Sequence, residues 1–276
     1  MNLAGAEATD NRVVLVTGAA RGIGAATVRR LAASGHRVVA VDSCAGAEPE
    51  TGSTQRRYSL ATRADLDALV ASMPEGSVVG HVADVRDREA LTAAVEVALD
   101  RWGRLDAAVA AAAVIAGGQP LWETPDADLD LLWEVDVKGV WNTAAVTLPA
   151  MLAGPEPSGT RFVAVASAAG THGLYRLAAY NAVKHAVVGL VRGLAADLVG
   201  TGATACAVSP GSTRTPMLEA TAALYGLEDV EEFAHHQLLH RILEPDDVAA
   251  TVAFCCSREA AVVNGSVVHA DGGFAP

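Results

Sequence analysis

The sequence predicts an α/β fold, a doubly wound parallel sheet of about seven strands with helices on both faces. Short apolar runs rich in β-branched residues alternate along the 276-residue chain with longer amphipathic stretches, as they do in successive βαβ units. The composition is 51% hydrophobic but only 4% aromatic, which suits helices packed closely on a buried parallel sheet. No stretch resembles a linker between two cores, so a single domain over residues 1–276 is expected.

Two sets of patterns define the expected elements. The strand patterns cover residues 13–17, 38–41, 78–83, 107–112, 161–166, 204–208 and 266–269. The helical patterns cover residues 22–34, 64–73, 86–102, 126–152, 178–199 and 245–256. Strands and helices therefore alternate along almost the whole chain.

The first predicted strand leads into a glycine-rich turn, residues 17–24, with the sequence TGAARGIG. Glycine lets the backbone turn tightly and approach a pyrophosphate, and a helix N-terminus offers it N–H groups and partial positive charge. The spacing differs from the Gly-x-Gly-x2-Gly of the general dinucleotide fingerprint. Its position between a strand and a helix nevertheless predicts a Rossmann-type dinucleotide site formed by Gly18, Arg21, Gly22, Ile23 and Gly24.

Acidic residues follow the second and third predicted strands. Asp42 can accept hydrogen bonds from both hydroxyls of the adenine-side ribose and would repel a 2′-phosphate. This favours NAD over NADP, although Arg21, Arg56 and Arg57 supply positive charge nearby. The Asp84-Val85 pair is expected to hold the adenine. For both aspartates the alternative role is to cap a turn.

Two long segments interrupt the alternation of strands and helices. Residues 43–63 are rich in Gly, Pro, Ser and Thr and precede the short helix predicted at 64–73. Residues 43–73 form either a solvated loop or a flap over the adenosine end of a cofactor. Residues 213–241 carry apolar side chains without a strand pattern, which suits a lid over a substrate.

Three polar residues predict a proton-transfer site. Tyr180 and Lys184 are four residues apart in a helical pattern, so their side chains lie on one face. Ionising a free tyrosine, whose pKa is about 10, costs about 4 kcal/mol at pH 7, and a neighbouring ammonium lowers that cost. Ser167 follows the fifth strand and can hydrogen-bond and orient a substrate oxygen.

The glycine turn, Ser167 and the Tyr180-x3-Lys184 pair together resemble a short-chain dehydrogenase/reductase, and the resemblance runs from Arg12 to Phe274. It implies that Tyr180 is the general acid/base, that Ser167 steadies the substrate oxygen, and that Lys184 lowers the tyrosine pKa and binds the nicotinamide ribose. It also implies that the nicotinamide carboxamide is held by residues after the sixth strand, namely Pro210, Gly211, Thr213 and Thr215.

Members of this family are commonly homotetramers, so the resemblance also implies an oligomer. Trp122, Trp133 and Trp141 lie in or near the helix predicted at 126–152. We interpret them as core packing. Substrate contact or a subunit interface are the alternatives for these three side chains.

Two positions depart from the family's pattern. Ala111 lies in an Ala-Ala-Ala run where the family usually has Asn-Ala-Gly, which removes an amide that braces the sheet and the cofactor ribose. Asp136 falls where the family's fourth catalytic residue is usually asparagine, and an ionised aspartate accepts hydrogen bonds without donating them. Either the proton relay near Lys184 is lost, or it is modified by a carboxylate that strengthens the lysine's positive form.

More narrowly, the chain resembles the mycofactocin-associated, carveol-dehydrogenase-like branch of the family. The matching stretches are YSLAT at 58–62, DVRD at 84–87, TPML at 215–218, FA at 233–234 and HQLL at 236–239. This resemblance implies that NAD stays bound beneath the 43–73 segment. It also implies that mycofactocin, a peptide-derived redox cofactor, reoxidises the bound NAD.

Charge, cysteines and hydropathy argue against other classes. The net charge of -12 and the absence of a Lys/Arg run disfavour nucleic acid as a partner. The four cysteines lack metal-ligand spacing, so we expect reduced thiols and no metal. Residues 1–12 lack an apolar leader segment, and no run approaches the roughly 20 apolar residues of a membrane span. These features predict a cytoplasmic protein that does not bind membranes.

The sequence therefore predicts an NAD-dependent oxidoreductase that interconverts a small, hydrophobic secondary alcohol, such as a terpenoid or steroid, and its ketone by hydride transfer. Because Ala111 and Asp136 depart from the family, a catalytically silent NAD-binding sensor or assembly protein is the alternative. A lyase or epimerase that uses the same bound cofactor is a third interpretation. Intact Ser167, Tyr180 and Lys184 favour the oxidoreductase.

Overall fold

The computed structural model describes residues 11–46 and 58–275. Seven strands are present in this part of the chain: β1 Val13–Thr17, β2 Arg37–Asp42, β3 Val78–Val82, β4 Ala107–Ala110, β5 Arg161–Val165, β6 Thr204–Pro210 and β7 Val267–Ala270. They form one parallel sheet in the order β3-β2-β1-β4-β5-β6-β7. The predicted doubly wound sheet is confirmed. Its order reverses between β1 and β4, and ligands of such sheets bind outside the strands' carboxyl ends at this point.

Eight α-helices accompany the described strands: α1 Gly22–Ala33, α2 Arg63–Ala71, α3 Arg88–Trp102, α4 Asp126–Leu132, α5 Gly139–Leu152, α6 Ala178–Asp197, α7 Pro216–Tyr225 and α8 Pro245–Cys256. None of them combines the length and the apolar character needed to cross a bilayer.

Helices cover both faces of the sheet, and this explains why the sequence of β1 is apolar throughout. Val13 and Leu15 pack in a core with α3, α5 and α6. Val14 and Val16 pack in a second core with α1, α2 and α8. Because successive side chains of a strand point to opposite faces, a strand between two helical layers is buried on both.

The prediction of one continuous helix over residues 126–152 is wrong. This stretch consists of α4, a π-helical turn at Trp133–Lys138 and α5. The wider turn carries Asp136, which is fully buried. π-Helical turns inside longer helices often occur at functional sites, and this one places a carboxylate that a continuous α-helix would orient differently.

Two helices begin at residues other than those predicted, because side chains cap their N-termini. The helix predicted at 86–102 begins at Arg88, because the Asp87 carboxylate accepts hydrogen bonds from the N–H groups of Glu89 and Ala90. The helix predicted at 64–73 begins at Arg63, after a capping box formed by Thr62 and Asp65.

The segment 213–241 has no strand, as predicted, but it is more ordered than a loop. It contains α7 and a 3-10 helix at Val230–His236. Its start pairs with the chain before α8 through a bridge between Thr213 and Leu243, and its end pairs with the C-terminus through a bridge between Gln237 and Phe274. Both ends of the segment are therefore anchored, and α7 lies between the anchors.

Candidate active site

A cavity of about 880 Å³ lies at the carboxyl ends of the strands. At one end it is lined by the glycine turn and the ends of β2 and β3, and at the other by α7 and the loop before α6. Ser167, Tyr180 and Lys184 also line it. The structure therefore brings the two sequence motifs into one cavity.

The glycine turn leaves no room for side chains at the positions of its glycines. Gly18 and Gly22 have φ angles of 65° and 54°, a region that L-residues with a Cβ disfavour. A Cβ on Gly24 would lie 2.0 Å from the Gly18 carbonyl oxygen. Arg21, the N-cap of α1, supplies no side-chain cap to the first N–H groups of the helix. These features fit a pyrophosphate held by backbone N–H groups.

Ala111, where the family's asparagine is missing, is braced from β1 instead. The Thr17 hydroxyl accepts hydrogen bonds from the N–H groups of Ala111 (3.2 Å) and Ala112 (3.4 Å). The space is narrow, since a Cβ on Gly18 would lie 2.7 Å from the Ala112 backbone. The Thr17 hydroxyl therefore joins the end of β1 to the chain that follows β4.

The two aspartates expected at the adenosine end line the cavity and also cap turns. Asp42 accepts hydrogen bonds from the N–H groups of Ala20 (3.0 Å) and Cys44 (3.1 Å), one at each oxygen. The Asp84 carboxylate accepts from the backbone N–H of Arg86 (2.8 Å) and from its guanidinium. Val85 lines the cavity beside Asp84. Both aspartates therefore cap turns, the alternative role considered for them, and their binding of the ribose and the adenine stays a prediction.

Part of the 43–73 segment also reaches the cavity. Residues 58–61 line it, and Arg21 contacts this region by donating to the Ser59 carbonyl (3.3 Å) and the Asp65 carboxylate (2.8 Å). Residues 47–57, which include Arg56 and Arg57, lie outside the described residues, so the positive charge expected from those two arginines stays a prediction.

Of the three residues predicted to transfer protons, Tyr180 and Lys184 are buried and Ser167 is half-buried. The Lys184 Nζ lies 5.4 Å from the centroid of the Tyr180 ring. The Tyr180 hydroxyl contacts the Met217 sulfur of α7 at 3.9 Å. The Ser167 Oγ accepts a hydrogen bond from the Ala169 N–H (3.1 Å) and lines the same cavity.

Asp136 forms an ion pair with the predicted catalytic lysine. Its Oδ2 lies 3.0 Å from the Lys184 Nζ, and both side chains are almost completely buried. Its Oδ1 accepts a hydrogen bond from the Val114 N–H (2.9 Å). Burial alone would lower the Lys184 pKa, but the Asp136 carboxylate raises it above its ordinary value. Burial raises the Asp136 pKa, while Lys184 opposes that shift.

Lys184 lowers the Tyr180 pKa, as the sequence led us to expect, but the net shift of that pKa is upward. Burial raises the Tyr180 pKa above its ordinary value, and Lys184 counters only part of that rise. The Asp136 carboxylate adds to the rise, and a hydrogen bond with Ser167 counters it. The physical reason is that a buried phenol loses hydration of its anion, while the nearby ammonium is paired with a carboxylate.

The residues predicted to hold the nicotinamide lie at the end of β6 and directly after it, beside the cavity. Pro210, Gly211, Thr213 and Thr215 all line it. The Thr213 hydroxyl donates to the Gly211 carbonyl (3.0 Å), and the Thr215 hydroxyl donates to the Thr213 carbonyl (3.2 Å). Thr215 also caps α7, since its side chain accepts from the Leu218 N–H. The same hydroxyl therefore fixes the turn and the start of the helix over Tyr180.

The substrate end is mostly apolar and includes residues of the segment 213–241, which the sequence predicted as a lid. Met217, Phe233 and Phe274 line this end. The Tyr225 hydroxyl at the end of α7 donates to the Tyr175 carbonyl in the loop before α6 (2.7 Å). Patterns within single elements give no signal for these contacts, because each joins two distant segments.

Two arginines of the segment 213–241 are paired with carboxylates. Arg214 contacts Glu231 and Glu244, and Arg241 contacts Asp247. Neither lines the cavity. Among residues 11–46 and 58–275, no group of three or more His, Cys, Asp or Glu side chains could hold a metal ion.

Comparison with known proteins assigns the chain to a family. Residues 18–275 match the family model described as "Enoyl-(Acyl carrier protein) reductase". The chain is 33% identical to levodione reductase of Leifsonia aquatica, over 95% of this chain and 94% of that protein. It is 31% identical to (-)-trans-carveol dehydrogenase of Rhodococcus erythropolis, over 96% and 97%.

A solved structure agrees with these relatives. The carveol dehydrogenase from Mycobacterium avium in complex with NAD superposes with a TM-score of 0.85 at 30% identity, covering 95% of this chain and 96% of that one. The matches extend over nearly the whole chain and include both the glycine turn and the Tyr180-Lys184 helix. The chain belongs to the short-chain dehydrogenase/reductase family of oxidoreductases.

Proposed function

We propose that this protein is an NAD-dependent oxidoreductase that interconverts a small, hydrophobic secondary alcohol and its ketone. The observation that carries the proposal is the convergence of Ser167, Tyr180 and Lys184 with the glycine turn in one cavity. Relatives named for carveol and levodione support an alcohol or ketone as the substrate, and one related structure is in complex with NAD.

The adenosine end of the cavity suits NAD. Backbone N–H groups of residues 18–24 would hold the pyrophosphate, and Asp42 would accept hydrogen bonds from the ribose hydroxyls, since each of its oxygens receives one backbone N–H and has a further lone pair. Pro210, Gly211, Thr213 and Thr215 would hold the nicotinamide end. When bound, NAD supplies the carbon that accepts or donates the hydride.

In the oxidation direction, Tyr180 removes the hydroxyl proton of the alcohol. Ser167 donates a hydrogen bond to the same oxygen and fixes its position. Lys184 stabilises the phenolate, and the buried Asp136 keeps the lysine charged. In the reduction direction the Tyr180 hydroxyl returns the proton to the carbonyl oxygen.

The substrate end favours an apolar molecule, because Met217 and Phe233 supply apolar surface there and Arg214 and Arg241 are engaged by carboxylates elsewhere. We propose that residues 213–241 act as a lid, since α7 brings the Met217 sulfur to the Tyr180 hydroxyl. A terpenoid or steroid alcohol fits this surface.

The decisive experiment is a spectrum of the purified protein. Reduced-nicotinamide absorbance should rise when a panel of secondary alcohols is added, with and without an artificial electron acceptor. A protein that binds NAD but reduces none of it with any alcohol in the panel would be the silent sensor or assembly protein instead. Isomerisation or elimination of substrate without net reduction of NAD would indicate the epimerase or lyase.

The finer proposal is that NAD does not exchange and is reoxidised by mycofactocin. The contacts of Arg21 with Ser59 and Asp65 support a cover, because they tie the chain after the 47–57 segment to the glycine turn. Protein that loses its NAD readily on desalting would contradict the proposal. Mycofactocin should restore multiple turnovers where free NAD does not.

We propose a homotetramer as the working assembly. The interpretation of the three tryptophans as core packing is wrong, because Trp122, Trp133 and Trp141 are 81%, 43% and 59% exposed in the chain. Apolar surface of this kind often marks contacts between subunits. Light scattering of the native protein tests the assembly, and Trp141→Gln should weaken it if this face is buried between subunits.

A further inference from the structure

The side chain of Arg21 leaves the glycine turn and pairs with α2. Its Nε and Nη2 donate to Asp65 Oδ2 at 3.2 Å and 2.8 Å, and its Nη1 donates to the Ser59 carbonyl at 3.3 Å. The preceding residue, Ala20, donates its N–H to Asp42 at 3.0 Å. Arg21 therefore lies beside the carboxylate at the expected ribose site, but its own charge is directed to Asp65.

Asp65 is fixed independently of Arg21. Its carboxylate accepts hydrogen bonds from the Thr62 N–H and the Thr62 hydroxyl, both at 2.7 Å. These bonds, with a contribution from Arg21, lower the Asp65 pKa to about 2. The carboxylate is therefore ionised at neutral pH and held in place by the helix cap.

The ion pair between Arg21 and Asp65 determines which charges are available at the expected ribose site. Asp42 and Asp65 carry two negative charges and Arg21 carries one positive charge. A guanidinium free to turn towards Asp42 would meet a 2′-phosphate with strong, charge-assisted hydrogen bonds. With Asp65 in place, three of the five guanidinium N–H groups donate to Asp65 and Ser59, and the Asp42 carboxylate remains the charge at the expected ribose site.

We infer that Asp65 is a positioning residue for coenzyme specificity: it holds Arg21 in an ion pair and so denies this cation to the 2′-phosphate of NADP. The inference rests on the proposed function, because it takes the cavity as a dinucleotide site. Discrimination against NADP then depends on Asp65 in α2 as well as on Asp42 at the end of β2.

The test is equilibrium binding of NAD and of NADP to Asp65→Asn, measured by titration calorimetry on protein freed of bound nucleotide. The amide keeps an oxygen acceptor for Thr62 but removes the negative charge that holds Arg21 in the ion pair. We expect the Kd for NADP to fall by about tenfold, with the Kd for NAD changed by less than about threefold. In Asp65→Asn combined with Arg21→Ala, the gain in NADP affinity should disappear.

Asp67→Asn is the matched control. It removes one negative charge from the same helix, where Asp67 pairs with Arg63 at 2.8 Å, without touching Arg21. An unchanged Kd for NADP in Asp65→Asn, an equal gain in Asp67→Asn, or a gain that survives Arg21→Ala would each overturn the inference. If Asp65→Asn does not fold, Asp65→Ser carries the same expectation. Failure of the native protein to bind NAD would instead overturn the proposed function.

Discussion

The two ends of the cavity are built differently. The adenosine end consists largely of backbone, the glycine turn and the ends of β1, β2 and β4, and the sheet register fixes these groups. The reactive end consists of side chains on α6, α7 and the π-helical turn, which meet through contacts such as Lys184 with Asp136. NAD binding at the adenosine end should therefore weaken strongly when a larger side chain fills the space there. The rate of the reaction at the reactive end should instead respond to charge and side-chain size.

The largest effect is expected at the reactive end. Tyr180→Phe removes the hydroxyl that exchanges the proton in the proposed mechanism, so kcat should fall about 10³-fold. The Kd for NAD should change little, because the phenol lies at the other end of the cavity. Turnover measured on protein saturated with NAD tests this, and a variant that keeps a tenth of the native rate would contradict the assignment of Tyr180.

The adenosine end should respond to a single added methyl group. A Cβ on Gly24 would lie 2.0 Å from the Gly18 carbonyl oxygen, so Gly24→Ala must displace the turn. We expect the affinity for NAD to fall by about 100-fold, or about 2.7 kcal/mol.

Gly193→Ala is the control for this prediction, since no atom outside its own helix lies within 4 Å of the added Cβ. Alanine at this position in α6 should leave NAD binding unchanged and slightly raise the melting temperature. Native affinity in Gly24→Ala, measured by calorimetry, would mean that the turn does not hold the pyrophosphate.

Substrate selectivity should change with the side chain over the phenol. Met217 lies beside the Tyr180 hydroxyl, so Met217→Ala enlarges the space next to the reacting carbon. The ratio of kcat/KM for a bulky over a small secondary alcohol should rise about tenfold, the effect expected from one or two methylene groups. Leu238→Ala, which alters an exposed residue of the same segment, should leave the ratio unchanged.

The same contrast explains what could be predicted from the sequence. The strands, the glycine turn and the Tyr180-Lys184 pair follow from spacing within one element, so local patterns indicate them. The contacts of Arg21 with Asp65, 44 residues away, and of Tyr225 with Tyr175, 50 residues away, depend on how elements pack. No local pattern indicates the π-helical turn either, because its helix-like sequence does not reveal where the hydrogen bonding changes.

The smallest expected change in rate, and the sharpest test of charge at the reactive end, is Asp136→Asn. The Asp136 carboxylate raises the Tyr180 pKa, so a neutral amide should lower that pKa as long as Lys184 keeps its proton. Because oxidation requires the deprotonated tyrosine, the rate rises with pH through that pKa. The acid limb of the kcat/KM profile for oxidation should therefore move to lower pH. Activity at pH 7 should be preserved or raised.

Two measurements separate this effect from a structural one. The amide has one oxygen where Asp136 uses two, Oδ1 for Val114 and Oδ2 for Lys184, and the buried ammonium loses its counter-charge, so the melting temperature should fall. The pH profile is therefore measured at a temperature where circular dichroism shows the variant to be folded. A large loss of rate with an unmoved acid limb would mean that the carboxylate itself takes part in proton transfer, since a change of charge alone would shift the limb.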